Sequence, residues 1–152
     1  MKKWIIAAAA AGVLFLQPFD PADAGQLYVV ETLALERRGG EIIVAAEALS
    51  GQGDSVDAAL RDMEERTPGL LFLRQVKRII LCGDTGAETL GRLPEEIPMG
   101  ATVYTSQGSA ENVAQQETLQ EILEARELRE QNLPRLAEIL NRQLEQARME
   151  GR

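Results

Sequence analysis

The apolar run Ile79-Ile80-Leu81-Cys82 constrains the fold of this chain more than any other stretch. If these residues form a strand, both of its faces must be covered, which places the strand inside a sheet rather than at its edge. We predict this central strand over Val76–Cys82, in a chain of 152 residues that is long enough for one domain with its own core. Helical patterns separate it from the other strand patterns, so a mixed sheet covered by helices is the expected packing.

Two strand patterns that precede the central strand predict a β-hairpin. Leu27–Arg37 and Glu41–Leu49 are rich in β-branched and apolar residues, and Arg38-Gly39-Gly40 between them is a turn signal. A short extended segment over Leu70–Leu73 and a strand over Ala101–Gly108 complete a predicted sheet of about four strands.

Helical patterns alternate with these strands. Residues 50–54 are predicted as a loop, and either Asp54 or Ser55 caps the next helix, which Thr67-Pro68-Gly69 ends. A short helix near Ala87–Leu93 is predicted to follow the central strand. The fold class that results is α/β (α+β), with the element order β-β-α-β-α-β-α-α.

The C-terminal region predicts a tail of two helices. Leu119, Ile122 and Leu123 mark one amphipathic face, and Asn132 caps a second helix that has Pro134 in its first turn. The apolar residues of the second helix recur at helical spacing. They are Leu133, Leu136, Ala137, Leu140, Leu144 and Ala147.

The N-terminus has the pattern of an export signal. Lys2 and Lys3 precede an uncharged apolar run over Ile5–Leu16, which is shorter than the roughly 20 residues of a membrane-spanning helix. Ala22 and Ala24 then form a small-residue cleavage site, so we predict cleavage after Ala24, export across the cytoplasmic membrane and no transmembrane segment in the mature chain. The predicted organisation is a signal peptide over 1–24, a mixed α/β domain over 25–113 and a helical tail over 114–152.

The composition excludes several classes of site. The chain has no His and only one Cys, so it cannot build a Ser-His-Asp or Cys-His site, a Cys/His zinc cluster or an intramolecular disulfide. The thiol of Cys82 is predicted to be buried and inert. The net charge of −8 argues against a nucleic-acid partner. No cofactor or metal site is predicted, and Arg74, Lys77 and Arg78 are interpreted as solvated charges at a strand edge.

The motif Asp84-Thr85-Gly86-Ala87 resembles the loop in which aspartic peptidases present their catalytic carboxylate. Such a peptidase needs two carboxylates that share one proton, and a second copy of the chain would have to supply the partner of Asp84. The residue before the motif is Gly83 rather than an apolar residue, and no Asp follows Asp84 in the chain. We therefore favour a structural interpretation, in which Gly83 ends the strand and Asp84 or Thr85 caps the following helix.

The middle of the chain resembles the N-terminal domain of the Ger(x)C family of spore germination proteins, the C subunits of germinant receptors. The similarity covers about 26–113 and rests on the strand LYVVETLALER, the return strand EIIVAAEAL, the helix start Ser55-Val56-Asp57-Ala58-Ala59 and the segment IPMGATVYTSQGSAENV with its Gly108-Ser109-Ala110 turn. Members of the family resemble longer lipoproteins with a Cys after the signal, which this chain does not have at that junction. The resemblance implies the fold and a link to sporulation, and it implies no catalytic residues.

The sequence therefore predicts a secreted, non-enzymatic module that binds a protein partner through strand edges or the tail helices. The resemblance implies a membrane receptor subunit as that partner. Two alternatives stay open at this point. One is an aspartic peptidase of retroviral type that uses Asp84 in a homodimer, and the other is a structural protein of the spore envelope. Neither alternative requires a cofactor.

Overall fold

The computed structural model describes residues 27–129 and 133–150, so the predicted signal peptide over 1–24 and the predicted cap Asn132 lie outside the described residues. The strands are β1 Leu27–Val29, β2 Thr32–Arg38, β3 Glu41–Ala46, β4 Leu49–Gly53, β5 Leu70–Phe72, β6 Arg78–Cys82 and β7 Thr102–Ser106. The helices are α1 Val56–Arg66, α2 Ala110–Ala114, α3 Glu117–Arg129 and α4 Leu136–Glu150. Two 3-10 helices cover Leu73–Gln75 and Ala87–Arg92.

The strands form one mixed sheet and one small parallel pair. The larger sheet has five of the described strands in the order β4-β3-β2-β6-β7. In it, β2, β3 and β4 are antiparallel neighbours, whereas β2, β6 and β7 run parallel. β1 and β5 pair separately, with Leu27 opposite Leu70 and Val29 opposite Phe72. The mixed α/β (α+β) class is confirmed, and the predicted central strand lies between β2 and β7.

Helices cover both faces of the larger sheet, as the two-sided apolar run of β6 requires. On one face Ile79 and Leu81 pack in a cluster with residues from α1, the 3-10 helix at Ala87–Arg92 and the start of α4. On the other face Ile80 and Cys82 pack with residues of α2 and α3. The domain is therefore a sheet between two helical layers.

Helix α1 forms where its sequence predicts it. The Ser55 hydroxyl accepts a hydrogen bond from the Ala58 N–H at 3.2 Å, which satisfies one of the free donors at the helix start. The buried side chains of α1 face the sheet, and each of the larger ones contributes about 1.5–3 kcal/mol. They are Val56, Ala59, Leu60 and Met63.

The predicted loop over 50–54 is wrong, because most of it is strand β4. The glycines that suggested a loop are required by the contact between β4 and α1. A Cβ atom on Gly51 would overlap backbone atoms of Ala59 and Met63. The first predicted strand is also divided, since a break at Val30-Glu31 separates β1 from β2.

The predicted cap by Asp84 or Thr85 is wrong as well. The segment near Ala87–Leu93 is a 3-10 helix that begins after Gly86, and no side chain caps it. The Thr85 hydroxyl instead accepts a hydrogen bond from the Arg37 N–H at 2.7 Å. Asp84 lies three residues before Ala87, where the helix begins, and does not cap it.

The tail helices are present, but their apolar faces are narrower than predicted. In α3, Leu123 is buried and Leu119 partly buried, whereas Ile122 is exposed. In α4, Leu136 is buried, and Leu144 near its other end is exposed. The helix therefore packs on the domain mainly through its first turns.

Candidate protein-interaction site

The parallel pair β1–β5 carries large apolar side chains on its outer face. Leu27, Val29 and Leu70 are 48%, 41% and 62% exposed, although Tyr28 and Leu71 between them pack against the core. This alternation follows from the strand period of two, which sends neighbouring side chains to opposite faces. Because Leu27 lies opposite Leu70 in the register, the three exposed side chains adjoin one another. We refer to Leu27, Val29 and Leu70 as the β1–β5 face.

Within residues 27–129 and 133–150, the edge of β1 that faces away from β5 has no paired strand, and we refer to it as the open edge of β1. The Val30 N–H donates to the Phe72 carbonyl at 3.2 Å, so the backbone groups of Val30 point towards β5. Since alternate residues of a strand direct their backbone groups to opposite edges, those of Val29 point away from β5. No described strand pairs with that edge. The edge therefore presents hydrogen-bonding groups to an incoming chain.

A two-residue hairpin turn, Glu47-Ala48, lies beside this edge. Glu47 has a positive φ of 50°, and it is the non-glycine residue with this conformation among those described. Such a conformation costs about 1–2 kcal/mol for a residue with a Cβ atom, and Gly or Asn is preferred at this position of a hairpin. The Tyr28 hydroxyl donates to Glu47 Oε2 at 3.0 Å, which links the turn to β1. Burial and the Glu47 carboxylate raise the pKa of Tyr28.

An acidic cleft of about 540 Å³ opens between this turn, the start of β2 and the junction of α2 with α3. The carboxylates of Glu31, Glu47 and Glu124 line it, together with Ala48 and residues 114–116. The Lys77 ammonium pairs with Glu31 at 2.8 Å, and the Arg78 guanidinium lies 3.6 Å from Glu124.

The charge of this acidic cleft stays negative after these pairs are counted. Arg78 makes its closer ion pair with Glu127, at 2.9 Å. Glu47 has the Tyr28 hydroxyl, an uncharged group, as its hydrogen-bond donor. The cleft therefore favours a positively charged group over an anion.

A buried ion pair holds α3 against the sheet and so positions one wall of the acidic cleft. The Arg78 side chain is 3% exposed, and its Nε and Nη2 atoms donate to the two oxygens of Glu127 at 2.9 and 3.1 Å. The Tyr104 hydroxyl donates to Glu127 Oε1 at 2.9 Å, and the guanidinium of Arg126 lies 5.9 Å from the centre of the Tyr104 ring. The interpretation of Arg78 as a solvated edge charge is wrong, because α3 covers it.

The pKa values of this cluster follow from burial and from its hydrogen bonds. Burial alone would raise the pKa of Glu127, but the hydrogen bonds from Arg78 and Tyr104 outweigh it and lower that pKa. Burial and the Glu127 carboxylate raise the pKa of Tyr104 to about 12. Both groups therefore keep their interacting forms, carboxylate and phenol, across the neutral range.

A second polar cluster joins β2 to α2. The Arg38 guanidinium donates to Glu36 at 2.8 Å and to Glu111 at 3.1 Å, and the Ala110 N–H donates to Glu36 Oε2 at 2.8 Å. Burial would raise the pKa of Glu36, but the bonds from Arg38 and Ala110 lower it below its usual value. The charged groups of Arg38, Glu36 and Glu111 are therefore engaged in contacts within the domain, and we assign this cluster a structural role.

A second cavity, of about 430 Å³, lies at the amino-terminal ends of β6 and β7 and includes Arg74, Lys77 and Arg135. Arg135 Nη1 donates to the Gly100 carbonyl and to Thr102 Oγ1, each at 2.9 Å. Lys77 is paired with Glu31. Two of the three cations are therefore engaged in contacts within the domain.

The residues of the peptidase hypothesis lie elsewhere. Asp84 is exposed on the turn that follows β6, where Gly83 has a positive φ of 57° and ends the strand as predicted. Cys82 is fully buried, as predicted, and burial raises the pKa of its thiol to about 11. The Asp84 turn and the β1–β5 face belong to different ends of the sheet, because β2 and β6 run parallel from the β1–β5 end towards Glu36 and Cys82.

The sequence predicted a binding surface at strand edges or the tail helices, which stays a prediction, and it did not indicate the acidic cleft. The cleft joins Glu31, Glu47 and Glu124, which are far apart in the chain, and no spacing rule connects them. No local signal marked the turn either, because the segment LSGQG that follows Glu47-Ala48 lacks the apolar alternation of a second hairpin strand.

No family model, curated protein or solved structure matches this chain. The resemblance to the Ger(x)C family therefore stays a prediction. Within residues 27–129 and 133–150, no three His, Cys, Asp or Glu side chains are grouped so that they could hold a metal ion. Helices in the same part of the chain are too short or too polar to cross a membrane.

Proposed function

We propose that this chain is an exported, non-catalytic protein-interaction module with a role in spore germination or sporulation. The observation that carries the proposal is the β1–β5 face, on which three large apolar side chains lie exposed beside one another. Adjoining exposed apolar side chains with a polar surround are typical of interaction sites. The link to spores comes from the resemblance of about 26–113 to the Ger(x)C N-terminal domain, and a membrane receptor subunit is the partner class that this resemblance implies.

The surroundings of Asp84 support the non-catalytic part of the proposal. Asp84 is exposed on a turn, and the neighbouring Thr85 hydroxyl is occupied by the Arg37 N–H. We expect no peptide cleavage at acidic pH from the full chain, and no difference between it and the Asp84→Asn variant. A pepstatin-sensitive activity that this substitution abolishes would establish the peptidase instead.

Export is tested separately by the N-terminus of the mature protein. The chain should be recovered outside the cytoplasmic membrane of a spore-forming host with Gly25 as its first residue, because cleavage is predicted after Ala24. Recovery of the intact chain from the cytoplasm would contradict the export part of the proposal.

Binding is tested by site-specific photo-crosslinking in sporulating cells. The crosslinking amino acid benzoylphenylalanine replaces Leu70 on the β1–β5 face, and the matched control carries it at Arg61, an exposed residue of α1. We expect a discrete crosslinked protein from position 70 and none from position 61. The same pattern of adducts from both positions, or none from position 70, would refute the proposed use of this face.

A further inference from the structure

The open edge of β1 indicates how a partner binds, an inference that rests on the proposed function. We propose that β1 accepts an extended segment of a partner protein as an added β-strand, and that this segment carries Lys or Arg residues. Strand addition of this kind takes its affinity from main-chain hydrogen bonds and its specificity from alternate side chains.

The backbone of β1 supplies the first part of the argument. Val30 uses its N–H for the Phe72 carbonyl, so the groups of Val29 are directed to the other edge. No described strand occupies that edge. β3, which pairs with β2 on the same side, ends at Ala46, so an added segment would continue the line of β3 alongside β1.

The apolar side chains supply the second part. Leu27 and Val29 point to one face of β1 and are about half exposed. A strand added at the open edge would place alternate side chains beside them, at the short distance of cross-strand pairs. Apolar side chains at those positions would bury part of the exposed surface of Leu27 and Val29.

Charge selects the remaining positions of the segment. The acidic cleft begins at Glu31, two residues after Val29, and its wall at Glu47 is hydrogen-bonded to Tyr28 of β1. A segment that leaves the β1 edge at this end therefore meets carboxylates. Lys or Arg side chains complement them, whereas acidic side chains would be repelled.

The same charges argue against a second copy of this chain as the occupant. The chain has a net charge of −8, and a β1 strand from another copy would bring its own Glu31 next to the cleft. Like charges in close contact disfavour such a pair. A basic segment of a different protein fits the site better.

The conformation of Glu47 supports the assignment. A glycine would satisfy the positive φ of this turn without strain, yet a glutamate occupies it and lines the cleft. Strained non-glycine residues of this kind concentrate at functional positions. The turn gives up some stability to place a carboxylate beside the β1 edge.

The test measures binding of a synthetic probe to the full chain by fluorescence anisotropy. The probe is the labelled peptide Lys-Lys-Val-Thr-Val-Thr-Val-Lys-Lys, whose charges flank an alternating strand. Two matched peptides separate the contributions: one has Glu in place of each Lys, and the other has N-methyl groups on alternate backbone amides of the unchanged sequence. We expect binding of the first peptide to be at least about tenfold tighter than binding of either matched peptide, because charge and main-chain hydrogen bonds both contribute. Equal binding of the N-methylated peptide would overturn strand addition, and equal binding of the acidic peptide would overturn the charge assignment.

Two variants of the chain locate the site. Val29→Pro removes the N–H that points to the open edge while leaving the Val30 bond to β5, and Pro is tolerated at strand edges. Glu47→Gln removes one charge from the cleft, and Glu95→Gln removes one from an exposed loop as its control. We expect about fivefold weaker peptide binding for the first two variants and unchanged binding for Glu95→Gln. A variant whose circular dichroism spectrum differs from that of the parent chain is not correctly folded and is set aside. Amide hydrogen exchange at Val29, measured in the parent chain with the peptide bound, is then the test of the site. Absence of peptide binding together with a specific crosslink from position 70 would refute strand addition and leave the proposed function standing, whereas absence of both would refute the two together.

Discussion

Removal of the Glu127 carboxylate should destabilise the domain more than removal of its partner Arg78. In Glu127→Met the Arg78 guanidinium loses its closest carboxylate but stays in a site where the Arg78 side chain is 3% exposed, with Glu124 3.6 Å away. Loss of one partner from a buried pair costs about 3–5 kcal/mol. Glu127 is itself 29% exposed and Glu124 offers partial compensation, so we expect about 2–4 kcal/mol here. In Arg78→Met the carboxylate keeps the Tyr104 hydroxyl and its contact with water, and the methionine fills the space of the arginine stem, so the expected cost is about 1–2 kcal/mol.

Urea unfolding followed by far-ultraviolet circular dichroism measures these costs. This method does not depend on the fluorescence of the single tryptophan, Trp4, which belongs to the predicted signal peptide. The control is Glu121→Met, an exposed position of the same helix, which should change the free energy of unfolding by less than about 0.5 kcal/mol. The double variant Arg78→Met/Glu127→Met should be more stable than Glu127→Met alone, because it also removes the buried charge that has lost its closest carboxylate. The reasoning is refuted if Glu127→Met costs no more than Arg78→Met, or if the two costs simply add.

The pH dependence of stability gives the same pair a second readout. The pKa of Glu127 is lower in the folded state than its usual value of 4.5. The folded state therefore gains stability above about pH 4.5, and this gain is lost as the pH falls through the folded pKa. Glu36 contributes in the same direction, so Glu127→Met should weaken the loss of stability below pH 4.5 without abolishing it.

Three further predictions concern the turn, the β4–α1 contact and the thiol. Glu47→Gly should leave the free energy of unfolding unchanged or raise it by up to about 1 kcal/mol in thermal unfolding. The reason is that relief of the positive φ outweighs loss of the exposed hydrogen bond from Tyr28. A clear loss of stability would contradict strain in this turn. Gly51→Ala should lower the free energy of unfolding in urea by about 3 kcal/mol or more, because the new Cβ atom would overlap the backbone of α1. In the control Gly100→Ala the Cβ atom meets open space, so the loss should be less than about 0.5 kcal/mol. Equal losses would contradict the close contact between β4 and α1. Cys82 should resist alkylation at pH 8 in the native protein and react after unfolding in urea, because burial raises its pKa to about 11; rapid reaction of the native thiol would contradict its burial.

The fold was predictable at positions where the sequence pattern is compatible with only one structural role. The run Ile79–Cys82 requires cover on both faces, and the structure places it inside the sheet between β2 and β7, with helices packed on both faces. The start of α1 was predictable to within one residue, since either Asp54 or Ser55 was expected to cap it and the structure shows Ser55 in that role.

The errors arose where one residue type serves two purposes. Gly51 was interpreted as a loop residue, but its missing side chain permits the approach of α1 to β4. Asp84 or Thr85 was interpreted as a helix cap, yet the helix begins at Ala87, three residues after Asp84, and no side chain caps it. Arg78 begins the central strand and reads as an edge charge, because nothing nearby in the chain identifies Glu127 as the partner that allows its burial.

The binding site could be predicted only in general terms. Exposed strand edges follow from a sheet with few strands, but the identity of the open edge depends on where β3 ends relative to β1. The acidic cleft depends on the packing of the α2–α3 junction over the sheet, which is a tertiary property. Local patterns carry no information on either point.

Amide hydrogen exchange at Val29 tests the central claim most directly. The full chain is followed by NMR with and without the basic strand peptide, and Val30, whose N–H is already bonded to Phe72, serves as the internal reference. The account predicts that the peptide slows exchange at Val29 by at least about tenfold and changes Val30 much less. Slower exchange at β4 or at the second cavity, with Val29 unchanged, would show that the partner strand binds elsewhere.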